Sequence, residues 1–369
     1  MEKMRGSKDK GWRPLVRTII FVLVFICLFF YLSSVFSLKD DSQGGEIWNS
    51  FYREKPNTLD GVYIGSSSVY AFYMPTRAYE DRGICISNLA TASQPVSLIK
   101  YVIQESLRTQ KDTKVILIDL RNFTRPVAGL KEMDIRYVTD SLRSPDIRYK
   151  AIKAALAYYK AMGAKIDYKE EHYLLSYIKF HNRWEDDISL EDWLPTGRHN
   201  DFKGYAIDED AYNTLHMYTP YTVYGEKDLE KAQWKVLKEL VAYCKTLKQK
   251  VIFVSSPYYT TKDSKLMISN TVYNYVESQG FEVWNFNQEP LKSELNMDYW
   301  TDYYQRNHTN VKGAQKYTDF LADMIDDELK LPDHRGMKGY ESWDVVARDL
   351  KKELSIKGLG HDRDKTDDK

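Results

Sequence analysis

The sequence predicts an α/β domain on a parallel sheet, carried behind an apolar N-terminal helix and interrupted by a mainly helical insertion. Three observations predict it. A charge-free apolar run, Thr18 to Leu38, lies near the start of the chain. The run Val115-Ile116-Leu117-Ile118 is continuous rather than alternating, as a strand buried on both faces requires. Through the C-terminal half, helical periodicity alternates with such runs, the signature of helices covering a parallel sheet.

The chain has 369 residues, 43% hydrophobic and 29% charged, enough for one large domain or two small ones. Its formal net charge is zero and no long basic run follows residue 17, so nucleic acid is not an expected partner. Tyrosine is unusually frequent, with 29 copies. A large ring with a polar tip suits a surface that grips sugars or polymers, although composition alone is a sufficient account. Cys27 belongs to the apolar run, whereas Cys85 and Cys244 lie in other apolar stretches as small hydrophobes. A bridge between those two stays open, but no disulfide framework is written in the chain. CxxC and HExxH spacings are absent, so neither a metal nor another cofactor is expected.

At about 1.5 Å per residue, Thr18–Leu38 spans about 30 Å as a helix, the thickness of a hydrocarbon core. Lys3, Arg5, Lys8, Lys10, Arg13 and Arg17 precede it against Glu2 and Asp9 alone. Positive flanks stay in the cytoplasm, so residues 1–17 are expected inside, 18–38 in the membrane and the remainder outside. A cleaved signal peptide is the rival reading. The length of the run, its aromatic residues and its SSVFSLKDD ending favour an uncleaved anchor.

Residues 39–57 are polar and contain Gly44 and Gly45, as expected of a linker, and the outer domain is expected over 58–330. Leu59–Ile64 predicts a buried strand closed by Gly65. Ser93 and Pro95 predict a helix start, with Leu98, Val102 and Leu107 at roughly helical spacing. After the 115–119 strand comes a polar and aromatic insertion, about 125–225, expected to cover one edge of the core. Within it Ser144-Pro145 opens a helix carrying Ile152, Leu156 and Tyr159 on one face, and Gly163 ends it. Trp184, Trp193, Pro195 and Gly197 predict loops and short helices. Alternation then returns: helix 228–248, strand 251–255, helix 263–279 stopped by Gly280, strand 281–286, and a last helix bearing Ala314, Tyr317, Leu321 and Met324. The tail, 331–369, is charged; one amphipathic helix (Trp343, Val346, Leu350, Leu354) is able to dock, and the last residues are expected to be disordered.

Two segments carry chemistry. Asp60-Gly61-Val62-Tyr63-Ile64-Gly65-Ser66-Ser67-Ser68 runs a strand into a small-residue turn, at the strand end where α/β sheets gather ligands. Such a turn exposes a hydroxyl beside backbone N–H groups able to receive an oxyanion, although an ordinary strand-to-helix turn has the same composition. The second, Asp302-Tyr-Tyr-Gln-Arg-Asn-His308-Thr-Asn310-Val-Lys-Gly313, places a histidine in a polar loop at a helix start near the far end of the domain.

Together the two segments resemble the SGNH/GDSL hydrolase superfamily. Gly65-Ser66-Ser67 is similar to its first block, which implies Ser67 as nucleophile; His308-x-Asn310-x-x-Gly313 is similar to its last, which implies His308 as general base. The resemblance implies a three-layer α/β/α fold of flavodoxin-like order. Within the superfamily the chain is most similar to the membrane-anchored Gram-positive branch, related to cell-wall O-acetyltransferases and teichoic-acid D-alanine transfer proteins. Asn88-Leu89-Ala90 falls near the second block, which implies the Ala90 N–H as an oxyanion donor, and Asn122 falls at the third-block asparagine. The last block is Asp-x-x-His in the family, whereas this chain has Gln305 three residues before His308. Asp302 supplying the acid, a Ser–His dyad, and lost catalysis all remain open.

If active, His308 takes the Ser67 proton, Ser67 attacks an ester or thioester, and the acyl group passes to water or to a glycan hydroxyl. The resemblance implies a cell-envelope glycan or teichoic acid as acceptor and a membrane-embedded acyltransferase as partner supplying the acyl group. A non-catalytic surface protein binding glycan or that partner is the alternative. His181-Asn182-Arg183-Trp184 suits either a carbohydrate cleft or a structural loop with Trp184 packed inside. No partner spacing distinguishes His172, His199, His216, His334 or His361.

Overall fold

The computed structural model describes residues 12–36, 43–186, 188, 190–193, 200, 202–207 and 209–359. Residues 1–11 of the expected cytoplasmic segment, 37 and 38 of the expected span, 39–42 of the expected linker, Pro195, Gly197, His199, His361 and the last ten positions lie outside the described residues. The chain divides into two compact units, residues 1–40 with 169–197, and 41–168 with 198–369.

In the first unit, Trp12–Val35 is a helix long and apolar enough to cross a membrane, and its apolar window is unburied within the protein. Short helices at Glu170–Leu174, Ser176–Phe180 and Arg183–Asp186 gather at its C-terminal end. Sequence reasoning had placed 125–225 in one insertion. It is split instead, because residues 169–197 cluster with the N-terminal helix and the rest with the sheet.

The second unit is built on five parallel strands: β1 (Gly61–Gly65), β2 (Ile86–Ala90), β3 (Val115–Asp119), β4 (Lys250–Ser255) and β5 (Glu282–Asn285). Their order is β2-β1-β3-β4-β5. Winding therefore reverses between β1 and β3, and the reversal opens a crevice at the carboxyl ends of the strands. Every residue of β1, β2 and β3 is buried, so both faces of the sheet are covered. Helices Pro75–Arg82 and Val311–Leu329 pack together, and Tyr63 of β1 reaches Tyr317 of the latter, hydroxyl to hydroxyl at 3.0 Å. Ile99–Thr109 packs on β1, Asp263–Ser278 on β4 and β5, and Lys231–Cys244 on the long helix Pro145–Met162. That long helix follows its end signals. The Ser144 side chain accepts from Ile147 N, Pro145 sits in the first turn, and Gly163 takes the left-handed conformation at φ 76°.

The linker expectation changes. Residues 43–53 of the expected linker form a docked helix with Ile47, Trp48 and Phe51 buried. Gly44 serves close packing there, since a Cβ would lie 2.5 Å from the Tyr137 carbonyl oxygen. Nine tyrosines, Tyr63, Tyr73, Tyr79, Tyr159, Tyr173, Tyr205, Tyr273, Tyr303 and Tyr317, are fully buried, whereas Tyr31, Tyr149, Tyr177, Tyr218, Tyr221 and Tyr224 are exposed. Cys85 and Cys244 are free and buried, so no bridge joins them. The helix anticipated in the tail does dock: Glu341–Ile356 packs on Pro75–Arg82 and buries Trp343, Leu350 and Leu354, with Val346 half-buried.

A buried ion pair fastens that helix. Lys203 Nζ donates to Glu54 Oε1 at 2.5 Å and to Ser342 Oγ at 2.9 Å, while Trp343 Nε1 donates to Glu54 Oε2 at 2.9 Å. The two charged side chains are 6% and 4% exposed. Removing one partner of such a pair strands the other charge in a low dielectric. Glu54→Ala should cost about 3–5 kcal/mol in denaturant unfolding of the detergent-solubilised chain. Glu54→Gln, which keeps an acceptor for Trp343, should cost less.

Candidate active site

The strand β1 ends where two elements nearly touch. A Cβ on Gly65 would lie 3.0 Å from Asp119 Cβ and 2.5 Å from Val69, so only glycine lets β1 end there. Ser66 then caps the short helix Ser67–Tyr70. Its hydroxyl meets that of Ser68 at 3.1 Å, and Ser68 Oγ donates to Asp119 Oδ1 at 3.0 Å. Both serines are buried in this network. Ser67 alone of the three is half-exposed, and its Oγ has no hydrogen-bond partner among the described residues.

Asp119, at the carboxyl end of β3, gathers four donors. Besides Ser68, it accepts from Arg121 N at 2.8 Å, Ser256 Oγ at 2.5 Å and Ser256 N at 3.3 Å. Arg121 turns its guanidinium back across the strand ends. It donates to Ser256 Oγ at 2.8 Å, the Pro257 carbonyl at 2.6 Å and the Asn307 carbonyl at 3.3 Å, between the rings of Phe72 and Tyr258. Sequence reasoning missed Asp119, Arg121 and Ser256. A carboxylate closing a buried apolar strand was the available signal for the first; the others carry none locally.

His308 lies on a hairpin, β6 (Tyr303–Gln305) against β7 (His308–Thr309), in which Gln305 pairs directly with His308. That register explains why the residue three before the histidine is the one that holds it. Gln305 Oε1 lies 3.0 Å from His308 Nδ1. Being an acceptor, it fixes the proton on Nδ1 and leaves the Nε2 lone pair free. The hairpin reaches the serine turn, since Thr309 Oγ1 donates to the Ala71 carbonyl at 2.6 Å and the His308 ring is 6.4 Å from that of Tyr70. The Ser67 and His308 segments are thus brought together, but no hydrogen bond joins the two side chains among the described residues. Desolvation, and then the nearby Arg121 charge, push the His308 imidazole down to about 4. It is neutral at pH 7.

Asp302 is not the orienting acid. Its carboxylate is buried and accepts from Asp298 N at 2.8 Å and Thr301 Oγ1 at 3.1 Å, with Lys312 and Lys316 within 3.7 Å. It organises the loop ahead of the hairpin. A Cβ at Gly313 would collide with the Asp302 carbonyl oxygen, and Asn310 caps helix Val311–Leu329 by accepting from Gly313 N at 3.0 Å. Ala90 pairs in register with Gly65, at the same sheet end as Ser67. The Asn122 amide donates to the Gln94 carbonyl at 2.7 Å, so it braces the loop after β2 rather than standing free for an oxyanion. Two buried donors in these loops, Gln94 Nε2 and Arg121 Nε, have no acceptor among the described residues. Among the described residues no group of three or more His, Cys, Asp or Glu could hold a metal ion.

Compared with family models, curated proteins and solved structures, the chain matches none.

Because Gln305 is neutral, it orients His308 without favouring the imidazolium. Gln305→Glu is nearly isosteric and adds an opposite charge, so it should raise the His308 pKa from about 4 toward or past the ordinary 6.5. A histidine NMR titration of the solubilised chain reads this directly. An unchanged midpoint would show that the 305 side chain does not contact the ring.

Proposed function

We propose that the chain is an SGNH/GDSL-type acyl-transfer protein with Ser67 as nucleophile and His308 as base. The observation that carries the proposal is the convergence at one crevice of a half-exposed, unpartnered Ser67 and a neutral histidine whose free nitrogen is Nε2. The strand order, with helices around a sheet whose strands β1, β2 and β3 are fully buried, supports the three-layer α/β/α architecture of that superfamily. The apolar helix Trp12–Val35 and its basic flank support a single-pass anchor with the sheet domain outside the cell membrane.

In this reading His308 Nε2 takes the Ser67 proton as Oγ attacks an ester or thioester carbonyl, and the acyl-enzyme forms as the leaving group departs. The resemblance implies the Ala90 N–H as a donor to the oxyanion. A second acyl transfer, to water or a polymer hydroxyl, restores Ser67. An envelope glycan or teichoic acid as acceptor is favoured by an aromatic platform beside the hairpin. His216 stacks on Trp300 at 4.4 Å with Tyr218 at its edge, and Tyr218 and Trp300 are 84% and 50% exposed. Segment 215–217 is hydrogen-bonded to Tyr303 and Tyr299, which ties the platform to the His308 strand. A membrane-embedded acyltransferase supplying the acyl group follows from the resemblance.

The second reading, a non-catalytic protein that binds glycan or that membrane partner, is favoured by Gln305. An amide in place of the acid in a serine triad lowers kcat by about 10⁴ in the studied protease case, there through the wrong tautomer. Here the tautomer is right and only the charge is missing.

Fluorophosphonate labelling of the solubilised chain tests the proposal. Wild type should label, Ser67→Ala should not, and His308→Ala should label far more slowly. An unlabelled wild type that stays folded would transfer support to the binding reading. Trp300→Ala should leave labelling unchanged and weaken glycan affinity about tenfold, the scale of one lost stacking contact.

A further inference from the structure

His181-Asn182-Arg183-Trp184 reads in the sequence as either a carbohydrate cleft or a structural loop, and the geometry around it argues for a third role. The short helices of residues 170–186 and 190–193 form a collar on the last turns of the Trp12–Val35 helix. Arg183, buried and bound to both carboxylate oxygens of Asp192 at 3.1–3.2 Å, reaches the Val35 carbonyl at 3.5 Å. Tyr31 Oη donates to the Trp193 carbonyl at 2.8 Å. Phe36 packs edge-on against Tyr177 at 5.0 Å and stacks with Trp184 at 6.5 Å. Ser33, Val35 and Phe36 are buried by this wrapping.

Three large apolar or aromatic side chains are exposed on the collar, beside exposed Glu171, His181, Asn182 and Glu185. Trp184 is 68% exposed, Tyr177 41% and Ile178 39%. Trp184 is therefore not packed inside, and His181, exposed, turns its Nδ1 to the Ile178 carbonyl rather than to a cleft.

Length decides where this collar must lie. Arg17 is the last charge before the apolar run, and the first buried position after it is Ser33. Thr18 to Leu32 spans only about 22 Å at 1.5 Å per residue, against about 30 Å of hydrocarbon. The missing length is the stretch that the collar wraps. A membrane that covers the apolar run must therefore reach the collar.

We propose that residues 170–186 and 190–193 form a membrane-interface collar whose Tyr177, Ile178 and Trp184 insert into the outer leaflet of the bilayer that the helix spans. Tyrosine and tryptophan suit that depth, having an apolar body and a polar edge. The buried Arg183–Asp192 pair satisfies the helix's terminal carbonyl where water is scarce. The collar thereby holds the helix end at a set depth. The inference rests on the reading of Trp12–Val35 as a membrane span, not on any catalytic role.

Site-directed spin labelling of the full chain in phosphatidylcholine vesicles tests it. Labels at Ile178→Cys and Trp184→Cys, each in a Cys27→Ser background, are compared with a label on native Cys27, which is exposed in mid-helix, and with exposed Lys248→Cys. Cys85 and Cys244 are buried and should stay unlabelled. The expected result is an oxygen-to-nickel-chelate collision ratio several-fold higher at 178, 184 and 27 than at 248. Water-like ratios at both 178 and 184, with Cys27 lipid-like, overturn the collar and leave the span intact. Shielding of both collar positions from both reagents overturns it equally, because protein would then cover that surface. A water-like Cys27 overturns the span itself.

Discussion

A carboxylate buried at the end of a central strand must find donors, and Asp119 finds them on three separate loops. Ser68 comes from the turn after β1, Arg121 N from the turn after β3, and the Ser256 hydroxyl and amide from the turn after β4. An unsatisfied acceptor there would cost a few kcal/mol, so the three turns are held in mutual register. The consequence for the surface is indirect. With Ser66 and Ser68 committed inward, Ser67 is the hydroxyl left facing the crevice. Arg121 then carries the register further, from the Ser256–Pro257 turn to Asn307 on the histidine hairpin. The site is thus assembled by polar groups buried beneath it.

Much of the α/β frame was legible because its signals are local. Val115–Asp119 reads as a buried strand from its own side chains, and Pro145–Met162 is delimited by Ser144, Pro145 and Gly163. What was illegible depends on distant partners. β2 contains Ser87 and Asn88, polar residues that a buried strand tolerates only because Lys203 and Gly204 supply the partners from across the chain. Gly44 and Gly45 read as a linker, whereas Gly44 answers a close approach by Tyr137 that no local pattern announces. Likewise Asp302 is near His308 in sequence but turned away in space, because the loop's own amides and two lysines claim its carboxylate. The Ser67 and His308 segments were legible as a pair; the polar network joining them was not.

The chemistry asked of His308 is set by neighbours that act on the two protonation states unequally. Burial and Arg121 keep the imidazole neutral, as a base must be before it takes a proton. The same two influences raise the energy of the imidazolium once it has formed. A pKa near 4 instead of 6.5 corresponds to about 3 kcal/mol, and about two powers of ten in rate if the transition state feels all of it. A carboxylate at position 305 would oppose that penalty, whereas the Gln305 amide only orients the ring.

This imbalance selects among the reactions open to the proposed acyl-transfer site. A weak base is a poor activator of the serine hydroxyl, so attack requires an acyl donor that is itself electrophilic, a thioester rather than an alkyl ester. Its conjugate acid is correspondingly strong, so protonating the departing group is the easy half of the cycle. In the second half the base must draw a proton from the incoming nucleophile, and a sugar hydroxyl is a stronger acid than water. Held beside the crevice as proposed for His216, Tyr218 and Trp300, a polymer hydroxyl would also react at an effective concentration that bulk water does not match. In the proposed site, an amide rather than an acid beside His308 would therefore disfavour hydrolysis more than transfer, and would suit moving an acyl group between carriers better than discarding it.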